Sequence, residues 1–407
     1  MSDYTFNTIP EAIEDIRLGR TIIVVDDEDR ENEGDFVTAA ENATPESINF
    51  MAKHGRGLIC VPITPDRAHD LHLDYMVAEG ADPDEAAFTI SVDHKTLTTT
   101  GISASDRAST IRELINPQAG PGDFRKPGHI FPLVGVHGGV LRRAGHTEAA
   151  IDLSRLADLK PAGIICEIMK DDGEMARLPQ LVEIAEKFNL KLITIKDLIA
   201  YRMEHESLVS KKVTVDMPTI HGEFTLHAFM ETTTGDTHLA FTKGTWKKDE
   251  PVLVRVHSAN PLSDIFGSKR SDKTELLHQA MRMVDQAGKG VVLYMDQMSR
   301  DYDLINQLKS LQLQDRGYST EEIKKKLGIR MDYRDYGVGA QILHALNVRK
   351  FRLLTNNPVK RVGLNSFGLE MVEEVSIPVD HVNLEHPHTK LDKPGSGQGF
   401  LKTLMLE

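Results

Sequence analysis

The sequence predicts an α/β protein with α+β character, in which two domains each contain a mixed sheet packed with helices. Two observations lead to this prediction. The chain has 407 residues, more than one ordinary core accommodates, so two domains of about 200 residues each are expected. Short β-branched runs also alternate along the whole chain with segments of helical periodicity, which is typical of sheets covered by helices.

The elements of the first domain follow from local signals. A helix is predicted from Ile9 to Ile16, because apolar residues recur at helical spacing, Pro10 suits the first turn and Gly19 ends it. The β-branched run 21–25 predicts a buried strand that ends directly in an acidic loop. Further strands are predicted at 57–61, 162–168 and 192–195, and further helices at 45–54 and 178–188.

The domain boundary is predicted around residues 203–212, where the apolar pattern lapses into polar and charged residues. We therefore expect one domain over residues 1–205 and a second over 213–383. Strands at 252–256, 290–294 and 352–354 and helices at 274–286 and 335–346 are predicted for the second domain. Residues 384–407 are poor in apolar side chains, which predicts a flexible tail.

Composition excludes several classes of function. The formal charge of -13 argues against nucleic-acid binding, which needs a basic face, although a local cluster of Arg and Lys can still bind a small anion. The two cysteines, Cys60 and Cys166, lie far apart, which fits a reduced cytoplasm and excludes a thiolate zinc cage. No apolar run approaches the ~20 residues of a membrane helix, and no signal peptide is recognisable. We expect a cytoplasmic protein with no nucleic-acid or membrane partner.

The densest charge cluster is the acidic loop, residues 26–35, which contains seven carboxylates and one cation, Arg30. Like charges this close repel unless a cation neutralises them, and Mg²⁺ is the obvious candidate because it takes oxygen ligands. A solvated acidic loop is the alternative. The run follows a buried strand directly and contains Gly34, which favours a functional loop, since sites in α/β folds lie at the carboxyl ends of strands.

A second dense segment covers residues 135–148, where glycines let backbone N–H groups approach a ligand closely. Arg143 can fork onto phosphate oxygens, Thr147 adds a hydroxyl donor, and His146 can bind a metal. A glycine-rich turn with surface arginines is an equally good interpretation of the spacing alone.

Three further features are candidates for chemistry. His129 lies between glycine and an apolar run, so it is either a core histidine or a proton-transfer group. Glu167 interrupts an apolar strand, where a carboxylate is costly to bury unless it is paired or functional; a side chain that reaches solvent from a strand end is the alternative. The segment 98–107 offers five hydroxyls around Gly101, which suits either phosphate or polyol oxygens or an ordinary polar turn.

Taken together, these segments closely resemble the 3,4-dihydroxy-2-butanone 4-phosphate synthases of riboflavin biosynthesis over residues 5–203. The matching pieces, in family order, are Asp26-Asp27-Glu28-Asp29-Arg30-Glu31-Asn32-Glu33-Gly34-Asp35, Thr99-Thr100-Gly101-Ile102-Ser103-Ala104-Ser105-Asp106-Arg107, Pro127-Gly128-His129-Ile130-Phe131-Pro132, Ala144-Gly145-His146-Thr147-Glu148-Ala149 and Cys166-Glu167. Lys126 stands where the family commonly has Arg, which is a mild departure.

The resemblance implies that ribulose 5-phosphate is converted to 3,4-dihydroxy-2-butanone 4-phosphate and formate by a homodimer with composite sites. It implies Glu31 and His146 as ligands of Mg²⁺ or Mn²⁺, which stabilises enediolate oxygens, and His129 and Glu167 as the catalytic proton-transfer residues. Substrate contacts are implied for Arg30, Glu31, Asp35, Glu167 and the run Arg143-Ala144-Gly145-His146-Thr147.

Residues 213–383 resemble GTP cyclohydrolase II in framework. The matching pieces are Val254-Arg255-Val256-His257-Ser258, Leu313-Gln314-Asp315, Asp332-Tyr333-Arg334-Asp335-Tyr336-Gly337-Val338-Gly339-Ala340-Gln341-Ile342-Leu343 and Leu354-Thr355-Asn356-Asn357-Pro358. The family holds catalytic zinc with three cysteines, whose positions here read Asn260, Ser271 and Lys273. Because none of these supplies a thiolate, we expect no zinc and no cyclohydrolase activity.

The remaining nucleotide-binding positions of this half give a mixed picture. The segment that engages GTP in the family reads Asp296-Gln297-Met298-Ser299-Arg300 here, with two residues altered, and Leu311 replaces an expected Tyr, whereas Arg334, Thr355 and Lys360 are kept. Two hypotheses stay open for this half: a scaffold or regulatory module that supports the synthase, or a domain that binds a nucleotide without catalysis.

Overall fold

A computed structural model of the chain describes residues 5–28, 30–76, 86–296, 304–327, 336–356 and 367–379. Several positions considered above lie outside these residues: Asp29, the segment 297–300, Arg334, Asn357, Lys360 and the tail 384–407. The described helices include none that is both long enough and apolar enough to cross a membrane.

The first half contains a seven-stranded mixed sheet with the order β4-β5-β3-β6-β2-β1-β7 in its described residues. Its elements are α1 (Ile9–Arg17), β1 (Ile22–Val25), β2 (Gly34–Ala39), α2 (Pro45–His54), β3 (Cys60–Ile63), α3 (Pro65–Asp70), β4 (Val92–His94), α4 (Ala104–Leu114), β5 (Phe124–Val134), α5 (His146–Leu156), β6 (Gly163–Glu167), α6 (Leu178–Phe188), β7 (Leu192–Thr194) and α7 (Ile195–His205). β1 pairs antiparallel with β2 and parallel with β7.

Local sequence explains the elements that lead to the acidic loop. Thr8 caps α1 in a capping box with Glu11, which satisfies backbone donors that a helix start leaves free. All four residues of β1 are buried, as expected for a strand with neighbours on both sides and helices over both faces. α5 packs against β2, β3 and β6, so the helix that begins at His146 lies beside the strands that flank the loop.

The second half contains another seven-stranded mixed sheet in its described residues, with the order β14-β13-β11-β12-β10-β9-β8. Its elements are β8 (Val209–Thr219), β9 (Gly222–Glu231), β10 (Thr237–Lys243), β11 (Val252–Ser258), α8 (Pro261–Asp264), α9 (Lys273–Ala287), β12 (Gly290–Met295), α10 (Leu304–Asp315), α11 (Thr320–Leu327), α12 (Tyr336–Ala345), β13 (Lys350–Leu354) and β14 (Glu370–Val375). The prediction of two mixed sheets packed with helices is confirmed.

Every predicted strand and helix has a counterpart in the structure, although several begin or end a few residues away from the predicted position. α2 and α6 begin and end at the predicted residues, whereas β3 begins at Cys60 rather than at residue 57. The backbone of Gly57 and Leu58 bonds instead to the carbonyl and carboxylate of Glu167. Several elements were not predicted, among them the antiparallel strands β8, β9 and β10. Of these, β8 is largely exposed and lacks an apolar face.

The two halves share apolar packing. One buried cluster includes Leu141 and Leu153 of the first half, Leu208 of the connection, and Phe229 and Ile342 of the second half. The connection between α7 and β8 is therefore buried at Leu208 rather than exposed, and residues of both halves contribute to one apolar core.

We predict that Gly34→Ala destabilises the fold by about 1–3 kcal/mol, the usual cost of overpacking. A Cβ at Gly34, the first residue of β2, would lie 2.4 Å from Cδ1 of Leu181 in α6. Gly120→Ala is the matched control, because nothing lies within 4 Å of its Cβ position. Urea unfolding of both variants checks the prediction, and equal stability of the two would contradict it.

Candidate active site

The acidic loop folds around the side chain of its first residue, Asp26. The Asp26 carboxylate is buried at the end of β1, where Oδ1 accepts a hydrogen bond from the Glu33 amide at 2.8 Å. Oδ2 accepts one from Nη1 of Arg30 at 2.9 Å and one from the Glu31 amide at 3.1 Å. Backbone donors to a carboxylate fix a loop strongly, so Asp26 sets the direction in which Arg30 and Glu31 point.

One set of potential metal donors is formed at this loop. Single ligand atoms of Asp26, Glu31 and His146 lie within 4.8 Å of one another. No other group of three His, Cys, Asp or Glu side chains of this kind is found in the parts of the chain that the structure describes. Carboxylate oxygens with one imidazole nitrogen suit a hard divalent cation.

The state of His146 fits metal binding. Its Nε2 lies 3.1 Å from the Val24 carbonyl, so Nε2 carries the proton and donates it, which leaves the lone pair on Nδ1. Burial is the main cause that lowers the pKa of His146. The ring is therefore neutral at neutral pH, which is the form that a metal requires.

Asp35 and Glu167 form a second acidic pair beside this set. They face each other across β2 and β6, and Oδ1 of Asp35 is buried without a hydrogen-bond partner. Burial, followed by the charge of Glu167, raises the pKa of Asp35 well above its usual range. An orphaned buried oxygen costs free energy, so it indicates a place where a ligand group completes the site.

Glu167 opens onto a cavity of about 460 Å³ lined also by Glu33, Arg56, Gly57, Leu58, Met169 and Met175. Its Oε2 accepts a hydrogen bond from the Leu58 amide at 2.8 Å. The carboxylate is therefore fixed in direction while it remains half-buried, which suits a group that exchanges protons with a ligand in the cavity.

His129 is held by Asp93, a residue that the sequence analysis did not single out. Oδ1 of Asp93 accepts the His129 amide at 2.9 Å, and Oδ2 lies 2.8 Å from Nδ1 of the ring. The Asp93 side chain is 5% exposed and that of His129 is 42% exposed. This pairing orients the imidazole and leaves Nε2 facing outward for proton transfer.

Strand register places His129 and Glu167 on one level of the sheet. Cys60 pairs with Phe131 of β5 and with Ile165 of β6. His129 precedes Phe131 by two residues and Glu167 follows Ile165 by two, so both side chains leave the same face. Because neighbouring strands are about 4.8 Å apart, their backbones are about 10 Å apart.

The hydroxyl-rich segment lies against His129. A Cβ at Gly101 would meet Oδ2 of Asp93 at 2.0 Å and Nδ1 of His129 at 2.6 Å, so only glycine fits there. Oδ2 of Asp106 accepts hydrogen bonds from Oγ1 of Thr99 and from the Gly101 amide. At least one of the five hydroxyls therefore fixes the turn, and the turn packs beside the histidine.

The segment 135–147 is held by the helix that follows it. Glu148 of α5 accepts the Val136 amide at 3.2 Å and pairs with Nη1 of Arg143 at 2.9 Å. Ala144 and Gly145 lead into α5, whose first residues are His146 and Thr147. The Arg143 guanidinium thus lies at a helix N-terminus, where free N–H groups and the helix dipole favour an anion.

Arg30, Glu31 and His146 lie together in the structure, and Asp35 lies beside Glu167. His129, on β5, is two strands away from Glu167, on β6, within the same chain. Asp26 and Asp93 were missed. A signal for Asp26 was present, because it is the first residue after a buried strand. Asp93 has none in the sequence, since its pairing with His129 depends on the register of β4 and β5.

The resemblance to GTP cyclohydrolase II predicts zinc-binding cysteines at three positions, which hold Asn260, Ser271 and Lys273 in this chain. Oδ1 of Asn260 accepts the Ser263 amide and caps α8. Oγ of Ser271 lies 2.8 Å from Oγ of Ser263, and Lys273 begins α9. Nearby, His257 is buried against Asp264, with Nε2 at 3.1 Å from the carboxylate.

Comparison with known proteins gives two family matches and several long relatives. Residues 10–201 match the family described as 3,4-dihydroxy-2-butanone 4-phosphate synthase, and residues 210–376 match GTP cyclohydrolase II. A riboflavin biosynthesis protein RibBA of Cytophaga hutchinsonii is 58% identical over 398 residues, 97% of this chain and 98% of its own. A RibBA of Aquifex aeolicus is 54% identical over 392 residues, 96% of both chains.

A similar solved structure is that of RibBX, a two-domain 3,4-dihydroxy-2-butanone 4-phosphate synthase from A. baumannii. It is 38% identical, with a TM-score of 0.60, and the match covers 92% of this chain and 100% of that one. The similarity therefore extends over both halves of the chain.

We predict that Asp35→Asn makes the metal-free protein more stable at pH 7 than the wild type. The native state keeps the Asp35 proton to higher pH than the unfolded chain, whose carboxyl ionises near pH ~3.9. Wild-type stability therefore falls as pH rises above that value, until the raised pKa of native Asp35 is passed. The stability of the Asn variant does not fall in this way. The difference in stability between the variant and the wild type should therefore become smaller as the pH is lowered from 7 to 4.5.

Urea unfolding in the presence of a chelator at several pH values measures this difference. Asp158→Asn is the control, because the Asp158 side chain is 91% exposed. A stability difference for Asp35→Asn that does not change with pH would show that burial does not perturb this carboxyl.

Proposed function

Because the chain belongs to the family of two-domain riboflavin biosynthesis proteins named RibBA, we propose that its N-terminal half converts D-ribulose 5-phosphate to 3,4-dihydroxy-2-butanone 4-phosphate and formate. This half is a 3,4-dihydroxy-2-butanone 4-phosphate synthase domain, a lyase. The observation that carries the proposal is the convergence of Asp26, Glu31 and His146 within 4.8 Å at the loop that also contains Asp35.

Glu31 and His146 are the proposed ligands of Mg²⁺ or Mn²⁺. Glu31 is 47% exposed and points a carboxylate oxygen at Arg30 at 2.8 Å, so it can turn to a cation with little rearrangement. Both oxygens of Asp26 already accept hydrogen bonds from the loop, and its main role is to hold Glu31 in place. The metal would act as a Lewis acid on the carbonyl and hydroxyl oxygens of the sugar.

Substrate binding is proposed for Arg30, Asp35 and the run Arg143–Thr147. The N-terminus of α5 and Arg143 together suit the phosphate. The Asp35 carboxyl, protonated to higher pH than usual, can both donate to and accept from sugar hydroxyls, which supplies the partner that its buried Oδ1 lacks.

Proton transfer is proposed for His129 and Glu167. Enolisation of a ketose requires a base that removes a proton beside the carbonyl and an acid that protonates oxygen. Asp93 holds Nδ1 of His129, so Nε2 is the basic atom, and the Leu58 amide holds one oxygen of Glu167 so that the other faces the cavity. His129 is exposed, and we propose that a homodimer covers it with a second copy of the chain.

For the C-terminal half, with a proposed extent of residues 213–383, we propose a folded domain without zinc and without GTP cyclohydrolase activity. The hydrogen bonds of Asn260 and Ser271 and the position of Lys273 at the start of α9 support this proposal. Binding of a nucleotide without catalysis is the second candidate. Thr355, one of the positions kept for nucleotide binding, is buried. Its neighbour Asn356 forms two hydrogen bonds with the backbone of Ile377.

The two buried free cysteines, Cys60 and Cys166, support a reducing compartment such as the cytoplasm.

We predict that Glu31→Ala lowers ribulose 5-phosphate turnover by at least about 100-fold, because removal of a metal ligand abolishes the Lewis acid. Folding should change little, since Glu31 is exposed. Glu28→Ala is the matched control, because Glu28 is also an exposed carboxylate of the loop but lies outside the donor set. Formate release is measured against Mg²⁺ and Mn²⁺ concentration, and unchanged turnover of the Glu31 variant would refute its assignment.

We predict no formate release when GTP and Zn²⁺ are given to the full chain, because no thiolate replaces the missing ligands. Metal analysis of the purified protein should find no stoichiometric zinc. Ribulose 5-phosphate with Mg²⁺ serves as the positive control in the same preparation. GTP-dependent formate release that is abolished by Arg334→Ala would overturn the proposal and show a bifunctional enzyme.

A further inference from the structure

The segment that precedes Arg143 and His146 is in contact with the second half of the chain. Residues 138–142, here termed the bridging segment, lie between β5 and α5. On one side they are held by the first half, where Asp152 accepts the Val140 amide at 2.7 Å and Arg202 donates to the Gly138 carbonyl at 2.7 Å. On the other side they meet β9 and α12.

Gln341 of α12 makes the most complete of these contacts. It is 3% exposed. Its Nε2 donates to the carbonyls of Leu141 at 3.1 Å and of Gly337 at 3.2 Å. Its Oε1 accepts the Leu208 amide at 2.8 Å. The side-chain amide of Gln341 thus connects the bridging segment, the connection between the halves and α12. Loss of its nitrogen or its oxygen would leave buried backbone groups without a hydrogen-bond partner.

An ion pair makes a second contact with the bridging segment. Nη1 of Arg142 lies 3.2 Å from Oε1 of Glu231, at the end of β9. The Glu231 side chain is 3% exposed, and its other oxygen lies 3.4 Å from Nε2 of the buried His238. Removal of the charge at a buried pair loosens its partner, so Glu231 fixes the residue directly before Arg143.

α12 packs so closely against the bridging segment that no side chain fits at Gly337. A Cβ at Gly337 would lie 2.1 Å from the Leu141 carbonyl oxygen and 2.9 Å from Cα of Arg142. A Cβ at Gly138, at the other end of the segment, would lie 3.0 Å from Cδ1 of Leu208. The backbone of the segment is therefore packed directly against the second half, with Val140 and Leu141 in the shared apolar cluster.

We propose that Gln341 and Glu231 are positioning residues of the synthase site: the second half of the chain fixes the bridging segment and thereby places Arg143 for the substrate and His146 for the metal. This inference rests on the proposed function. It gives the second half a role in the synthase reaction that needs neither zinc nor a nucleotide. Small displacements of binding groups have large effects on binding and rate, so loss of these contacts should be visible in binding constants.

The test is Gln341→Leu in the full chain, which removes the hydrogen bonds and keeps the volume. We expect the KM for ribulose 5-phosphate and the Mn²⁺ concentration for half-maximal activity each to rise about 10- to 100-fold, the usual effect of losing a group that orients a ligand residue. Mn²⁺ affinity measured by calorimetry without substrate should fall by a similar factor, which gives a readout independent of turnover.

Gln307→Leu is the matched control, because Gln307 is a buried glutamine of α10 in the same half and makes none of these contacts. If both variants show unchanged constants, or both show the same change, the inference is wrong. If Gln341→Leu does not fold, Glu231→Gln decides: a weaker rise of the same constants supports the inference, and wild-type constants refute it. A wild-type chain inactive on ribulose 5-phosphate would instead refute the proposed function.

Discussion

Mutual repulsion of carboxylates at the ends of β1 and β2 is the constraint on which the rest of the site depends. At the ends of β1, β2 and β6, the charges of Glu167, Glu31 and Asp26 all act on Asp35, while Arg30 pairs with Asp26 and Glu31. In a medium of low dielectric such a cluster is costly. The pKa of Asp35 is raised first by burial and then by the charge of Glu167, since both disfavour the ionised carboxyl. A divalent cation would relieve this repulsion.

The fold meets the constraint by fixing donors around the acidic groups. The Asp26 carboxylate accepts three hydrogen bonds from its own loop. Arg177, before α6, donates to the backbone carbonyl of Glu31 at 2.9 Å from outside the loop. α6 also packs on Gly34, where any larger residue would collide with Leu181. The Asp26 carboxylate therefore fixes the loop from inside, and α6 packs against the loop from outside.

The sequence was sufficient to predict much of this arrangement, and the parts that it missed have physical reasons. β1 was predictable because it is an uninterrupted β-branched run, and α6 because its apolar residues recur at helical spacing. β8 was not, because an exposed edge strand has no buried face to produce a pattern. Glu31 and His146 were inferred from family resemblance rather than from spacing. The pairing of Asp93 with His129 depends on strand register, which a single sequence does not encode locally.

The acidic loop and the loop around Asn260 differ in how their polar side chains are bonded. In the acidic loop, Oδ1 of Asp35 is buried without a hydrogen-bond partner. In the second half, Asn260 and Ser271 form hydrogen bonds with Ser263, a near neighbour in the chain, which stabilises this loop. The second half has a complete sheet in its described residues and contacts the bridging segment through Gln341 and Glu231.

The thermal unfolding of the wild-type chain, in Mn²⁺ and in chelator, tests the central claim most directly. If the acidic loop needs a cation, saturating Mn²⁺ should stabilise the native state by about 2.7 kcal/mol at a hundredfold excess over Kd. The Tm should then rise by about 2–4 °C for each kcal/mol. Equal Tm values in Mn²⁺ and in chelator would contradict the account, because the carboxylates would then be tolerated without a metal.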